Sequence, residues 1–148
     1  MGRVLAVDYG ERRIGLALSD PTRTIAQPLP TLTRRAGKRP PVAAILEIAD
    51  AQDVDRFVVG LPLSMEGGDT EWTREVRRFA EVLAHRAQRP VDLIDERLTS
   101  VAAERAVRSL GLPRHEKQRK DRIDAAAAVL ILQSWLDRSG RPHMEFEE

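Results

Sequence analysis

The sequence opens with two short apolar segments separated by only three residues. Residues 3–9 read RVLAVDY and residues 13–19 read RIGLALS, and Gly10, Glu11 and Arg12 lie between them. This spacing is typical of a tight turn, so the first twenty residues predict an antiparallel β-hairpin. The fold therefore begins with antiparallel strands, which limits the sheet topologies that the rest of the chain can complete.

After the hairpin, the pattern changes to an alternation of helices and strands. Residues 24–34 are extended, but Pro28 and Pro30 have no N–H to donate, which predicts an edge strand. Helical spacing of apolar residues then predicts four helices, and the runs RFVVGL and VDLID predict buried strands. The first predicted helix starts at about Pro41, and the other three cover residues 72–83, 101–110 and 121–137. This order predicts an α/β fold, with a mixed sheet that opens with an antiparallel hairpin and has helices on both faces.

Size and composition predict a single globular domain over residues 1–148. A composition of 42% hydrophobic and 32% charged residues is too apolar for a disordered chain. The absence of Cys excludes disulfides and thiolate metal sites, so any metal must be held by oxygen or imidazole. No stretch approaches the roughly 20 apolar residues that span a bilayer. We therefore expect a cytoplasmic protein without a membrane partner.

Positive charge is supplied mainly by arginine and is unevenly distributed. The net charge is +1, and 21 of the 24 basic residues are Arg. Basic patches lie at residues 34–39 and 114–122, and the second belongs to the segment PRHEKQRKDR, which we predict to be a surface loop between the last two helices. The planar guanidinium suits bidentate contacts with phosphate. The alternative is that the arginine excess reflects the base composition of the genome.

Acidic residues lie at the ends of several predicted elements. Asp8 falls on the same strand face as Val4 and Ala6, where an apolar residue is expected. Asp95 and Glu96 close another strand, and adjacent residues on a strand point to opposite faces, so only one of the two should join Asp8. In open α/β sheets, ligands bind beyond the carboxyl ends of the strands. These positions therefore predict a site at that edge.

A further acidic pair opens the final helix. Asp124 lies in its first turn, three residues after Asp121. Each acid has an ordinary structural alternative, since a carboxylate can accept hydrogen bonds from a turn, cap a helix or favour its N-terminal dipole. Taken together, in a chain with 0 Cys and only 3 His, the acids suit hard oxygen coordination of Mg²⁺ or Mn²⁺.

Four separated motifs resemble those of one family. They are VLAVDYGERRIGLALSD, VVGLPLSMEGG, IDERLTS and RIDAAAAVLILQSWL, in order over nearly the whole chain. They resemble the YqgF family, described as RuvC-like Holliday junction resolvases or pre-16S rRNA nucleases. The resemblance implies a ribonuclease H-like fold in which Asp8, Glu96 and Asp124 are catalytic and converge on Mg²⁺ or Mn²⁺. Asp121 and Asp95 are possible additional ligands, and Ser64 stands where such sequences often have Asn.

The expected function is that of a metal-dependent endonuclease, a phosphodiester hydrolase acting on structured nucleic acid. It would either process the 5′ end of precursor 16S rRNA or resolve Holliday junctions in branched DNA. Two metal ions can stabilise the attacking water and the departing alkoxide together. Basic residues are expected to contact the phosphates of the substrate and not to read its bases. The candidates are Arg13, Arg97, Lys117, Arg119 and Lys120. The alternative is that these side chains are ordinary solvated surface charges.

Two alternatives belong to other functional classes. The strand, Asp, Gly and turn pattern also occurs in actin-like ATPases and sugar kinases, although those proteins close two related domains over a nucleotide, and 148 residues predict one domain. The second alternative is a non-catalytic RNA-binding or ribosome-assembly protein that has kept the fold. The sequence leaves open the choice between RNA and DNA, the metal that is used, and whether the protein is a monomer or a homodimer.

Overall fold

A computed structural model of the protein describes residues 2–34, 38–99, 101 and 117–139, with only the backbone for residues 117–124 and 139. Five strands form one sheet: β1 (Arg3–Tyr9), β2 (Arg13–Ser19), β3 (Ala26–Thr33), β4 (Val54–Leu61) and β5 (Val91–Asp95). Their order across the sheet is β3-β2-β1-β4-β5. The first strand of the chain therefore lies at the centre of the sheet.

The sheet is mixed, as the sequence predicts. The predicted hairpin is present, because β1 and β2 pair antiparallel with Asp8 opposite Gly15. β3 pairs antiparallel with β2 and forms one edge of the sheet, where Pro28 lies opposite Ala17. β4 is parallel to β1, and β5 is parallel to β4. The carboxyl ends of β1, β4 and β5 consequently lie at the same end of the sheet.

Helices cover both faces of this sheet. The α-helices that the structure describes along their length are α1 (Val42–Ala51), α2 (Glu71–Ala87) and α3 (Lys117–Ser139). Leu5 and Val7 of β1 belong to the apolar cluster that contains α1 and α2, whereas Val4 and Ala6 belong to the cluster that contains α3. Alternation along β1 therefore serves two separate cores, and the predicted arrangement of helices on both faces is confirmed.

The final helix begins earlier than the sequence pattern predicts. The segment PRHEKQRKDR is predicted to be a loop up to residue 122, but the backbone is helical from Lys117. Lys, Gln and Arg are favourable helix formers, and neither Pro nor Gly occurs between Lys117 and Ser139. The apolar periodicity that locates a buried helix face does not extend over this first polar turn. The helix therefore begins four residues before its predicted start at about Asp121, and the loop prediction is wrong for residues 117–120.

Two other expectations concern helices. The predicted helix over residues 101–110 lies outside the described residues, apart from Val101, which is buried. Among the helices that the structure describes, none has the length and apolar character needed to cross a membrane.

Three aromatic rings connect α2 to the carboxyl end of β1. Tyr9 stacks on Phe79 with a centroid distance of 4.1 Å and on Trp72 with a centroid distance of 5.6 Å. The guanidinium of Arg34 lies 5.0 Å from the centre of the Tyr9 ring and also donates to its hydroxyl. Burial raises the pKa of the Tyr9 hydroxyl. These contacts fix the end of the strand that carries Asp8.

Candidate active site

Asp8 is a buried carboxylate near the carboxyl end of β1. Strand alternation places it on the α3 face of the sheet, with Val4 and Ala6. Only 4% of its surface is exposed. Burying an ionised carboxylate is costly unless its charge is compensated, so an acid at this position calls for a specific partner or function.

Glu96 is the second buried carboxylate on this face. It directly follows β5, in a 3₁₀ turn over Glu96–Leu98, and is 7% exposed. A Cβ atom added at Gly60 would lie 3.1 Å from its Oε2 atom and 2.6 Å from Cδ1 of Ile131. Gly60 thus leaves the space in which the Glu96 side chain and α3 approach β4.

The strand register places Gly60 beside Asp8. β1 and β4 are parallel and paired up to Val7 and Val59, and the next residues along the two strands are Asp8 and Gly60. The Glu96 carboxylate, which lies over Gly60, is therefore above the strand adjacent to Asp8. The predicted partners Asp8 and Glu96 therefore lie on the same face of the sheet, at the carboxyl ends of its parallel strands.

Helix α3 packs on this face directly after its acidic turn. Ala127, Ala128 and Ile131 are fully or almost fully buried against the sheet. Residue 124 precedes Ala127 and Ala128 by three and four positions, which is one helical turn. The backbone of Asp124 thus lies one turn before these alanines and about two turns before Ile131, the α3 residue whose side chain lies at Gly60.

The predicted set of metal ligands extends beyond the described side chains. The structure describes the backbone of Asp121 and Asp124, and their side chains lie outside the described residues. Among the side chains that are described, no group of three or more His, Asp or Glu could hold a metal ion. Of the predicted metal ligands whose side chains are described, Asp8 and Glu96 are buried and Asp95 is partly exposed.

Asp95 is engaged with Arg97. Its carboxylate accepts from the Arg97 backbone N–H at 2.9 Å, from Nε at 3.1 Å and from the terminal guanidinium nitrogen at 2.7 Å. The hydrogen bonds from the Arg97 guanidinium hold the pKa of Asp95 below its usual range. As expected for adjacent residues, Asp95 and Glu96 contact different parts of the protein.

The other arm of the Arg97 guanidinium contacts the loop between β4 and α2. It donates to the carbonyl oxygen of Met65 at 3.2 Å. Within that loop, Ser64 Oγ accepts from the Gly68 N–H at 3.0 Å, and the Ser64 N–H donates to the Gly68 carbonyl at 2.9 Å. Serine, where related sequences often have Asn, therefore still makes a side-chain contact that closes the loop.

The remaining predicted phosphate contacts lie on two elements. Arg13 is the first residue of β2, pairs with Thr33 in the sheet and is partly exposed. Lys117, Arg119 and Lys120 are in the first turn of α3, and their side chains lie outside the described residues.

Two residues near the candidate site are missed by the sequence analysis. Gly60 carries a recognisable signal, because an isolated glycine within a strand often marks a close approach of another group. Met65 carries no such signal, since its position beside Arg97 depends on contacts between residues that are 32 positions apart.

The sequence matches one protein family over most of its length. The RuvX family, described as Holliday junction resolvase, matches residues 2–138. A relative from Maridesulfovibrio salexigens, named "Putative pre-16S rRNA nuclease", is 42% identical over 137 residues, which are 93% of this chain and 99% of the relative. A relative of the same name from Chloroflexus aurantiacus is 44% identical over 145 residues, 97% of this chain and 93% of the relative.

Solved structures show a similar fold at low sequence identity. RuvC of T. thermophilus in complex with a Holliday junction substrate has a TM-score of 0.52 and 17% identity, covering 95% of this chain and 97% of RuvC. Fowlpox virus resolvase in complex with Holliday junction DNA has a TM-score of 0.53 and 10% identity, covering 91% of this chain and 97% of the resolvase. The predicted ribonuclease H-like fold is thereby confirmed. The protein belongs to the RuvX family, also called YqgF.

Proposed function

We propose that this protein is a divalent-metal-dependent endonuclease, with Asp8, Glu96 and Asp124 as its catalytic, metal-binding residues. The observation that carries the proposal is the burial of Asp8 and Glu96 on one face of the sheet, at the end where the carboxyl ends of β1 and β5 lie. The description of the RuvX family and the names of its curated members support the same class of reaction.

The buried acids fit a hard divalent cation. Carboxylate oxygens are the ligands that Mg²⁺ and Mn²⁺ prefer, and a cation would compensate the charge buried at Asp8 and Glu96. The space over Gly60 that a Cβ would fill is where Glu96 lies. Asp124 would complete the set, and Asp121 is a further candidate. Asp95 is the weaker candidate, because both of its oxygens already accept hydrogen bonds from Arg97.

The chain's own residues bind and orient the reacting groups. When bound, divalent metal supplies the positive charge that stabilises attacking water and departing alkoxide in phosphodiester hydrolysis. Asp8, Glu96 and Asp124 would hold the cation, and burial restricts how Asp8 and Glu96 can move. Arg13, near the turn after Asp8, and the basic residues in the first turn of α3 would attract phosphates without reading bases.

Two substrates follow from the names of related proteins. Members of the family are named for precursor 16S rRNA, and the family itself is described for Holliday junctions. Both are structured, polyanionic and cut at a phosphodiester bond. We propose structured nucleic acid as the substrate class and leave the choice between the two to a direct comparison.

The test is cleavage of a four-way DNA junction, a linear duplex and a precursor 16S rRNA fragment by one preparation, in Mg²⁺, in Mn²⁺ and in chelator. We expect cleavage of the junction or the precursor in metal, a loss of orders of magnitude in Asp8→Asn, Glu96→Gln and Asp124→Asn, and no requirement for Zn²⁺. Asp53→Asn is the matched control, since Asp53 is exposed and precedes the amino end of β4.

Full activity in chelator, or in any of the three variants, would contradict the proposed site. Tight binding without cleavage in either metal would instead favour a non-catalytic RNA-binding protein. Binding and hydrolysis of ATP in Mg²⁺, without nucleic-acid cleavage, would favour an actin-like ATPase.

A further inference from the structure

The loop between β4 and α2 presents an exposed methionine close to the candidate active site. Met65 is 89% exposed, more than any other large apolar side chain in the described part of the chain. Single exposed apolar residues are common on protein surfaces, so exposure alone indicates little. The backbone around Met65, however, is held by several specific hydrogen bonds.

The first group of contacts closes the loop on itself. The Ser64 N–H donates to the Gly68 carbonyl at 2.9 Å, and the Gly67 N–H donates to the Ser64 carbonyl at 2.8 Å. Ser64 Oγ accepts from the Gly68 N–H at 3.0 Å. Gly67 has a φ of 92°, a conformation that favours glycine. Met65 is therefore carried by a closed, defined turn.

The second group ties this turn to the end of β5. The Arg97 guanidinium donates to the Met65 carbonyl at 3.2 Å and is fixed from its other side by the Asp95 carboxylate. A Cβ at Gly67 would lie 3.4 Å from the guanidinium nitrogens, so Arg97 packs closely on the turn. Arg97 directly follows Glu96. The Met65 backbone is thus linked through one side chain to the residue next to a proposed metal ligand.

A second exposed apolar residue lies in the same 3₁₀ turn as Glu96. Leu98 is 57% exposed, and its carbonyl accepts from Arg138 of α3 at 2.6 Å. The neighbourhood of Arg97 therefore offers apolar surface at Met65 and Leu98 on backbone that is fixed by hydrogen bonds. Charged phosphate groups do not pack against apolar surface, whereas the faces of nucleobases do.

We propose that Met65 contacts the nucleic-acid substrate and packs against an unstacked base beside the cleavage site. The inference rests on the proposed nuclease function and adds a subsite to it. Thioethers pack favourably on aromatic rings, and Met and Leu act as apolar wedges at disrupted base steps in other proteins. Because Arg97 and the turn hold the loop in place, little conformational entropy is lost on contact.

Arg97 is then a positioning residue for this contact. Its guanidinium holds the Met65 turn against Asp95, and removing it should let the turn move without changing the Met65 side chain. Loss of Arg97 should therefore make Met65 less important for binding. A residue that only bound phosphate would leave the contribution of Met65 unchanged.

The experiment measures binding without cleavage. Parent, Met65→Ala and Met65→Leu are titrated, with Ca²⁺ replacing Mg²⁺, against a four-way DNA junction and a precursor 16S rRNA fragment that carry 2-aminopurine near the cleaved bond. Ile25→Ala is the matched control, because Ile25 is 57% exposed and lies before β3, at the end of the sheet opposite the end where Glu96 lies.

We expect Met65→Ala to weaken binding about threefold to tenfold and to reduce the change in 2-aminopurine fluorescence. Met65→Leu should retain most of the affinity, and Ile25→Ala all of it. The slope of log affinity against log salt should be the same in all four proteins, because no phosphate contact is removed. In an Arg97→Gln background, Met65→Ala should cost distinctly less affinity than in the parent.

Parent-like affinity and fluorescence in Met65→Ala would overturn the inference, as would an equal loss in Ile25→Ala. The two proposals fail in different ways. If Met65→Ala binds weakly but the parent cleaves nothing in Mg²⁺ or Mn²⁺, the contact stands and the nuclease proposal fails. If the parent cleaves and Met65→Ala binds like the parent, the nuclease proposal stands, and Met65 is available to a protein partner. A parent that binds neither nucleic acid overturns both.

Discussion

The carboxylate of Glu96 lies over the backbone of Gly60, 3.1 Å from where a Cβ at that position would be. This contact joins the end of β5 to β4, and the strand register places Asp8 on the adjacent strand. Because Gly60 in β4 has no side chain, the acid that directly follows β5 can approach β1 under helix α3.

Gly60→Ala should disturb both packing and the candidate site. The new Cβ would lie 2.6 Å from Cδ1 of Ile131, so either α3 or Glu96 has to move. We expect a loss of about 1–3 kcal/mol in the free energy of unfolding, which is typical of overpacking, together with a large drop in metal-dependent cleavage. Urea unfolding and cleavage assays on the same preparation measure the two effects.

Gly68→Ala is the matched control for stability, because within the described part of the chain its Cβ would meet only Ser64 Oγ, at 3.7 Å. Adding Ile131→Val to Gly60→Ala removes the clashing methyl group and should restore part of the stability. A Gly60→Ala protein as stable and as active as the parent would show that Glu96 does not depend on this space.

Asp8→Asn should separate a metal site from a structural acid. Carboxylates brought together by folding repel one another, so in chelator near pH 7 the variant should melt no lower than the parent. Mg²⁺ or Mn²⁺ should stabilise the parent, by about 2.7 kcal/mol at a metal concentration 100 times Kd, and the variant distinctly less. Thermal melts of both proteins with and without metal give the answer. A variant that is clearly destabilised in chelator, with both proteins insensitive to metal, would assign Asp8 a structural role.

The basic first turn of α3 should contribute to nucleic-acid affinity through charge. Changing Lys117, Arg119 and Lys120 together to Ala should weaken binding and lower the salt slope by about 2–3, since each lost phosphate contact removes counterion release. Alanine favours helix, so the turn itself should persist.

Affinity titrations over a range of salt concentrations measure the slope. The control changes three exposed arginines of α2, on the opposite face of the sheet, to Ala: Arg74, Arg78 and Arg86. If the control lowers the slope as much as the α3 variant does, the effect reflects net charge and not a substrate path along α3.

Asp95→Asn should make stability less dependent on acidic pH. Hydrogen bonds from Arg97 lower the pKa of Asp95 in the folded protein, so the stabilisation is fully present above the unfolded pKa of about 3.9 and is lost as the pH falls through the lower folded value. At pH 7 the variant should melt below the parent, and the gap should narrow below about pH 4. Melts from pH 7 to pH 2 test this, and a gap that is independent of pH would assign the loss to packing.

Local patterns in the sequence predict most of the elements of this fold. The hairpin of β1 and β2, the edge position of β3 with Pro28 and Pro30, and the apolar runs of β4 and β5 all follow from residues that are neighbours in the chain. The fold class and family follow as well, because four motifs occur in order over the chain. Among the elements that the structure describes, the start of α3 is predicted wrongly, since its polar first turn has helix propensity but no apolar stripe.

The tertiary structure alone decided how the candidate site is assembled. Strand alternation left Asp95 and Glu96 as alternatives, and only the family resemblance favoured Glu96. The structure shows why the two differ, because packing buries Glu96 over Gly60 while Arg97 binds Asp95. The position of Met65 beside Arg97 likewise has no local signal. Alternation and helical periodicity act within one element, so the sequence determines which face each residue occupies. Contacts between elements depend on strand register and helix packing, and these are set by the whole chain as it closes its two cores.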